Sequence, residues 1–287
     1  MTRPFIAACI QNCADAEIEP SLEAATALVR AARDRGAALI CLPEFFSCLC
    51  SDDRRFEVGA RAEDAHPAIP RFRALAEELE AWILLGSLAI EAGPGKVHNR
   101  SYLLDPRGRI VARYDKLHLF DVDLAAGESY RESAWIEPGA AATLAATPWG
   151  PLGLTICYDL RFATLYRALA QAGACFLTVP AAFTETTGEA HWHLLLRSRA
   201  IETGAYVLAP CQCGNPGGGR PSYGHSLIVD PWGRVLADAG ESPGFIIAEI
   251  DPAEVAKARA MIPSLTHDRD FTGPELAGPK INGVRLD

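Results

Sequence analysis

The chain has 287 residues, of which 49% are hydrophobic and 22% charged, a balance that excludes disordered and fibrous proteins and leaves length for one large core or two modest ones. A net charge of −9 and an isoelectric point near 5.3 offer nothing to a phosphate backbone or an anionic membrane, so neither nucleic acid nor membrane is expected as a partner. No apolar run approaches the roughly 18 residues of a membrane span, the early PFIAACI is too short for a signal-peptide core, and nine cysteines lack the even framework of a secreted scaffold; the sequence therefore reads as cytoplasmic, with reduced thiols.

Along the chain, strands and helices alternate. PFIAACI (4–10) reads as a strand, and SLEAATALVRAARDRG (21–36) as an amphipathic helix opened by Ser21, with Glu23 in its first turn, and closed by Gly36. The strand ALICL (38–42) follows. Beyond the loop PEFFSCLC, IPRFRALAEELE (69–80) reads as a helix and WILLGSLAI (82–90) as a strand, and two more strands flank DPRG. A second series has the same order: strand LGLTIC (152–157), helix RFATLYRALAQAG (161–173), strand CFLTVP (175–180), helix EAHWHLLLRSRAIETG (189–204), strand YVLAP (206–210), and two strands around DPWG. The remainder, 262–287, has no periodicity and several Pro and Gly residues; it reads as an irregular tail packed across a surface or onto a second subunit.

The two series also match in letters. LLDPRGRIVA (103–112) and IVDPWGRVLA (228–237) share Asp-Pro, Gly-Arg and the closing Ala at the same offsets, and Pro second with Gly fourth is the signature of a type I turn. Two β-α-β-α-β-β-β halves each give a mixed sheet with helices on one face, and the bare faces must cover each other. The expected architecture is an α/β fold, an α-β-β-α sandwich of two pseudo-symmetric halves forming one domain over 1–287. The helix near 70–81 and the loop near 117–139 are expected at its rim.

Chemistry-bearing residues stand where strands end, which is where α/β sheets gather ligands. They are Glu44 after ALICLP, Lys116 after GRIVARYD, and Cys157 after LGLTI. A cysteine attacks as thiolate, and a carboxylate such as Glu44 can take its proton. Addition to an amide carbonyl or a nitrile builds negative charge that Lys116 and the Tyr158 N–H can meet.

The motifs CLPEFF, YDKLHLFD and ICYDLRF resemble the Glu, Lys and Cys motifs of the nitrilase superfamily of carbon–nitrogen hydrolases, in the family's order and across nearly the whole chain. The resemblance implies an α-β-β-α fold without a cofactor. It also implies Glu44 as general base, Lys116 as stabiliser of the tetrahedral intermediate and Cys157 as the nucleophile that forms a thioester. YRESAWIEPG resembles the segment carrying an assisting glutamate and selects Glu132 over Glu128 and Glu137. YGHSLIVDPWG, HLFDVD, PAAFTETTGEAHW and LLRSRAIE are similar to the Nit-type branch, whose amidases act on deaminated glutathione or on 2-oxo acid amides; both substrates carry an amide and a carboxylate. The former is favoured, with acid and ammonia as the products and a homodimer or larger even assembly as the working form. By the same resemblance Phe183 and Thr187 line the pocket. The sequence departs from the family at Ala163-Thr164, where Pro-Glu is usual, and at His193, where an acidic residue is common.

Several residues keep two readings. Arg161, one turn past Cys157, can hold a substrate carboxylate bidentately or pair with Asp159. Phe183 can be core, and Glu132 a solvated loop residue. N-carbamoyl amino acids, aliphatic amides and nitriles are alternative substrates for the same three groups, a Cys-His protease using His191 or His225 is a rival mechanism, and a silent scaffold is the non-enzymatic alternative. The C-x-C pairs Cys48/Cys50 and Cys211/Cys213 and the H-x-H pair His191/His193 match no familiar zinc spacing, so no metal is expected. GNPGGGRP (214–221) reads as a flexible loop near the pocket mouth.

Overall fold

The computed structural model describes residues 3–51, 56–124 and 128–273. The first series supplies β1 (Phe5–Gln11), α1 (Ile18–Asp34), β2 (Ala37–Cys41), α2 (Ala68–Glu78), β3 (Trp82–Gly93), β4 (Lys96–Leu104) and β5 (Ile110–Asp115). The second supplies β6 (Thr143–Thr147), β7 (Gly150–Leu154), α3 (Ala163–Gln171), β8 (Phe176–Thr178), α4 (Glu185–Thr203), β9 (Tyr206–Ala209), β10 (Leu227–Val229) and β11 (Val235–Asp238), followed by β12 (Gly244–Ile250) and α5 (Ala253–Met261). The sheets run β12-β1-β2-β3-β4-β5 and β6-β7-β8-β9-β10-β11. Each is mixed: β1, β2 and β3 run parallel, as do β7, β8 and β9, and the other neighbours pair antiparallel.

The period-two alternation of the strands sorts the side chains into layers. Ala8, Ile10, Ile40, Ile83, Leu85 and Tyr102 point outward and pack with Leu22, Val29, Phe72 and Leu75 of α1 and α2. Their neighbours Ala7, Cys9, Leu39, Cys41, Leu84 and Leu103 point inward and meet Leu152, Leu154, Phe176, Leu208 and Ile228 of the opposite sheet. Leu177, Val207, Leu227 and Val229 then pack outward with Leu165, Leu169, Trp192 and Leu196 of α3 and α4. Helix, sheet, sheet and helix are thus stacked in the expected order.

The repeated letters encode a repeated turn. Asp105 Oδ1 accepts from the N–H groups of Arg107 and Arg109, both at 3.0 Å, and Oδ2 from Arg109 Nε at 2.7 Å. Asp230 does the same with Trp232, Arg234 and Arg234 Nε, at 2.9, 2.9 and 2.6 Å. The fourth residue of each turn, Gly108 or Gly233, has positive φ (66° and 79°), which glycine adopts without a Cβ penalty.

Three expectations need correction. α1 begins at Ile18, not Ser21, because Pro20 is tolerated in a first turn whose N–H groups have no helical acceptor; Ser21 Oγ instead donates to Glu17 O at 2.9 Å. α2 is not at the rim: Phe72, Leu75 and Ala76 are buried against the first sheet beside α1. Each sheet also gains an antiparallel edge strand absent from the predicted order, β12 on β1 and β6 on β7, and α5 follows β12. The described part of the tail lies on α3, whose Arg167 and Gln171 hydrogen-bond Ser264 O and Leu265 O at 2.9 and 3.1 Å, while 274–287 lies outside the described residues.

Candidate active site

Three loops leave the same end of the sandwich. The first, after β2, carries Glu44 and crosses β3 so closely that a Cβ on Gly86 would lie 1.9 Å from Leu42 O and 2.2 Å from Pro43 O; only glycine fits there. Gln212 Nε2 donates to Glu44 O and Phe45 O at 3.0 and 3.2 Å and fixes the loop from the other half. The second loop follows β5 and carries Lys116. The third follows β7, and Cys157 opens a short 3-10 helix (Cys157–Arg161) with φ 47°, a left-handed conformation that a non-glycine residue holds only at a cost.

Asp159 joins the last two loops. Fully buried, it accepts from Tyr114 Oη at 2.6 Å, the His118 N–H at 3.0 Å and the Ile156 N–H at 2.9 Å, and lies 2.7 Å from His118 Nδ1.

The acidic and basic groups converge. Lys116 Nζ lies 3.0 Å from Glu44 Oε1 and 2.7 and 2.9 Å from the two Glu132 oxygens. Glu44 also accepts from Asn99 Nδ2 at 2.8 Å and the Ala182 N–H at 2.9 Å, and Glu132 from the Phe120 N–H at 2.6 Å. Glu44 and Lys116 are only 3% and 2% exposed, so their attraction acts with little solvent screening. Burial alone would lower the Lys116 ammonium, but Glu132, Glu44 and Cys157 together hold it well above its ordinary value. Burial raises the Glu132 carboxyl, with Lys116 opposing and Glu44 adding to the rise. Burial also drives the Cys157 thiol well up; the Glu44 charge adds to this and Lys116 opposes it.

A cavity of about 370 Å³ opens over Glu44, Lys116, Glu132 and Cys157, and Tyr158, Phe183 and Thr187 line it. Phe183 is also 4% exposed core against Trp192. Arg161 is not in the wall: its guanidinium sits 5.8 Å from the Tyr158 ring and 5.4 Å from the Phe183 ring, with His191 Nδ1 at 3.4 Å. Its expected alternative partner, Asp159, is bonded elsewhere. Arg131 and Arg220 do line the cavity, the latter 4.5 Å from the Tyr130 ring.

A sequence profile of the family described as carbon-nitrogen hydrolase matches residues 6–260. The chain belongs to that family. It is 41% identical over 270 residues to a deaminated glutathione amidase of Synechocystis, covering 92% of this chain and 98% of the relative. With the human deaminated glutathione amidase it shares 39% over 288 residues, covering 96% of this chain and 84% of the relative. Among solved structures, Nit3 of Saccharomyces cerevisiae, a member of branch 10 of the nitrilase superfamily, superposes with a TM-score of 0.82 at 30% identity, covering 94% of this chain and 97% of that one. This carbon–nitrogen hydrolase is therefore a Nit-type amidase of the nitrilase superfamily, an enzyme that hydrolyses amides. Among its described residues no helix is long and apolar enough to cross a membrane.

The sequence reading missed the supports of the site in this hydrolase. Asn99 is a fully buried amide in β4, but it stands between His98 and Arg100, so nothing local marked it. Asp159 stood within the quoted Cys motif, but only as a candidate partner for Arg161. Gln212 left no local signal, and Arg131 and Arg220 lay within stretches singled out for other reasons, YRESAWIEPG and GNPGGGRP.

Proposed function

We propose that Glu44, Lys116, Glu132 and Cys157 hydrolyse the γ-amide of deaminated glutathione. The observation carrying this reading is the ammonium of Lys116 held between two carboxylates at the floor of a cavity that also contains the Cys157 thiol. Glu44 takes the proton as Cys157 Sγ adds to the amide carbon. Lys116 and the Tyr158 N–H, in the first turn of its 3-10 helix, where amides have no helical acceptor, meet the developing oxyanion. The intermediate collapses to a thioester as the amine leaves with the proton from Glu44. Water, deprotonated by Glu44, then releases the acid and restores the thiol. Glu132 keeps the ammonium oriented.

Deaminated glutathione has a carboxylate at each end of an extended molecule, and its leaving group is a dipeptide amine; ammonia, the product expected from sequence, leaves only from a primary amide. Arg131, which also pairs with Asp123 at 2.7 Å, and Arg220 line the cavity, which supports recognition of an anionic end. The relatives named deaminated glutathione amidase favour this substrate over 2-oxoglutaramate, N-carbamoyl amino acids and nitriles.

The same reading makes 1–287 one catalytic domain, working as a homodimer or larger even assembly in the cytoplasm, in keeping with nine free cysteines. Assays with deaminated glutathione, 2-oxoglutaramate, an N-carbamoyl amino acid and a simple nitrile test it. The largest kcat/KM is expected with the first, and Cys157→Ala abolishes turnover. Activity surviving that substitution removes Cys157 as nucleophile; a faster carbamoyl substrate or nitrile replaces the assigned one.

A further inference from the structure

The H-x-H pair of α4 divides in the fold. His191 faces Arg161, whereas His193 turns toward β11 and places Nε2 3.0 Å from Asp238 Oδ2. His225, just before β10, places Nδ1 2.9 Å from Asp238 Oδ1 and 3.2 Å from Oδ2. Ligand atoms from three separate elements thus lie within 4.8 Å of one another, outside the catalytic cavity; among the described residues this is the one such group of three.

The group is held in place from behind. Gly240 N–H donates to Asp238 Oδ1 at 2.9 Å, and the backbone of His225 is fixed at both ends: its N–H donates to Gly240 O at 2.6 Å and its carbonyl accepts from the buried Trp192 indole at 2.7 Å. Tyr223 stacks on the His225 ring at 4.6 Å. His225 also has φ 51°. Among the described residues three other non-glycines have positive φ: Phe45 and Cys157 lie at the reacting groups, and Glu80 lies just past α2. Strain of this kind persists where the surroundings over-determine a conformation.

We propose that His193 Nε2, His225 Nδ1 and Asp238 bind a divalent transition-metal ion of the zinc class, with water completing the shell. Two imidazoles and a carboxylate are donors suited to that class and not to magnesium or calcium. The two histidine–carboxylate separations, 3.0 and 2.9 Å, are close to the edges of a polyhedron with metal–ligand bonds of about 2.0–2.2 Å, and the two imidazole nitrogens lie within 4.8 Å of each other. The backbone bonds supply the orienting outer shell such sites use. Side-chain exposures of 35% for His193, 21% for His225 and 34% for Asp238 leave a path for the ion and its water. The ion would tie α4 to β10 and β11. The first turn of α4 carries Thr184 and Thr187 of the cavity wall, and Tyr223 packs on Gly188 of the same turn, so occupancy would stiffen that wall without touching the reacting atoms.

The test uses the full chain, stripped with a chelator and dialysed against zinc(II), then against cobalt(II) for absorption. Wild type and Cys157→Ala are expected to bind one ion per chain, and His193→Ala, Asp238→Asn and His225→Asn to weaken uptake by about ten-fold or more. The cobalt spectrum should show nitrogen–oxygen ligation and no thiolate charge-transfer band, and zinc should raise the melting temperature of wild type but not of His193→Ala. His193→Ala changes a part-exposed helix position to a good helix former, and His225→Asn keeps a residue that tolerates left-handed φ, so circular dichroism of the metal-free variants is expected to match wild type. No uptake by the folded wild type, uptake unchanged in His193→Ala, or a thiolate band would overturn the site.

Discussion

Asp159 carries no proton in the proposed reaction, yet it ties the Lys116 loop to the Cys157 turn, and its loss would strand the Tyr114 hydroxyl and two backbone N–H groups in the core. Asp159→Ala is expected to cost about 3 kcal/mol in urea unfolding. Asp159→Asn, which keeps the shape, should lower kcat more than it raises KM. Charge around the thiol allows a second prediction. Because Glu44 helps push the Cys157 thiol up and Lys116 opposes that push, Glu44→Gln should move thiolate formation to lower pH and Lys116→Met to higher pH. Thiolate absorbance, taken as the difference from the matching Cys157→Ala variant, measures both. Glu44→Gln should therefore hold more thiolate and still lose turnover, separating the base from its electrostatic side effect.

At the scale of elements, the turns and loops decide where these groups stand. Gly86→Ala forces two backbone carbonyls away from β3 and the Glu44 loop with them; a loss of about 1–3 kcal/mol and about 100-fold in kcat is expected from melting and steady-state kinetics. In the first Asp-Pro-x-Gly-Arg turn, burial would raise the Asp105 carboxyl, but Arg109 and the N–H groups of Arg109 and Arg107 hold it below the usual carboxylate range. Its stabilisation is thus present above the unfolded carboxyl's pKa of about 3.9 and lost as pH falls below that through the folded value. Asp105→Asn should cost about 2 kcal/mol near neutrality, and the urea-derived difference should vanish in acid. These turns were legible because three of the repeated letters each have a task in the turn: Asp accepts, Gly turns left-handed, Arg pairs. Glu44 and Cys157 stood out because each breaks an apolar run at a strand end, whereas Lys116, which follows Arg113 and Asp115, stood out through its motif YDKLHLFD. The edge strands were not. β6 is five residues of Thr, Ala and Leu, mostly part-exposed, and β12 pairs with a segment more than two hundred residues earlier, which no local period announces. The surroundings of Arg161 were only partly local: the Tyr158 ring belongs to its own 3-10 helix, whereas Phe183 and His191 come from α4 and the segment before it.

For the molecule as a whole, assembly is the open prediction. Leu194 and Ile201, seven residues apart on α4, are 64% and 55% exposed, and Trp232 is 50% exposed, so the second helical layer presents apolar side chains outward. Joint replacement of Leu194 and Ile201 by Glu is expected to turn the proposed homo-oligomer into monomer in sedimentation velocity, and a wild type that already sediments as monomer would contradict the assembly. A last consequence follows from which loops carry the chemistry. Glu44 belongs to a connection of the first sheet, Lys116 and Glu132 to the crossing from the first sheet to the second, and Cys157 to the second, so the separation of sulfur and base is gauged by the packing of the two sheets together with the bonds that Ala182 and Gln212 make to the Glu44 loop. A slippage of an ångström along that seam, too small to register in ellipticity, would put the enzyme out of focus; mild denaturant or pressure should silence it while the polypeptide still looks native.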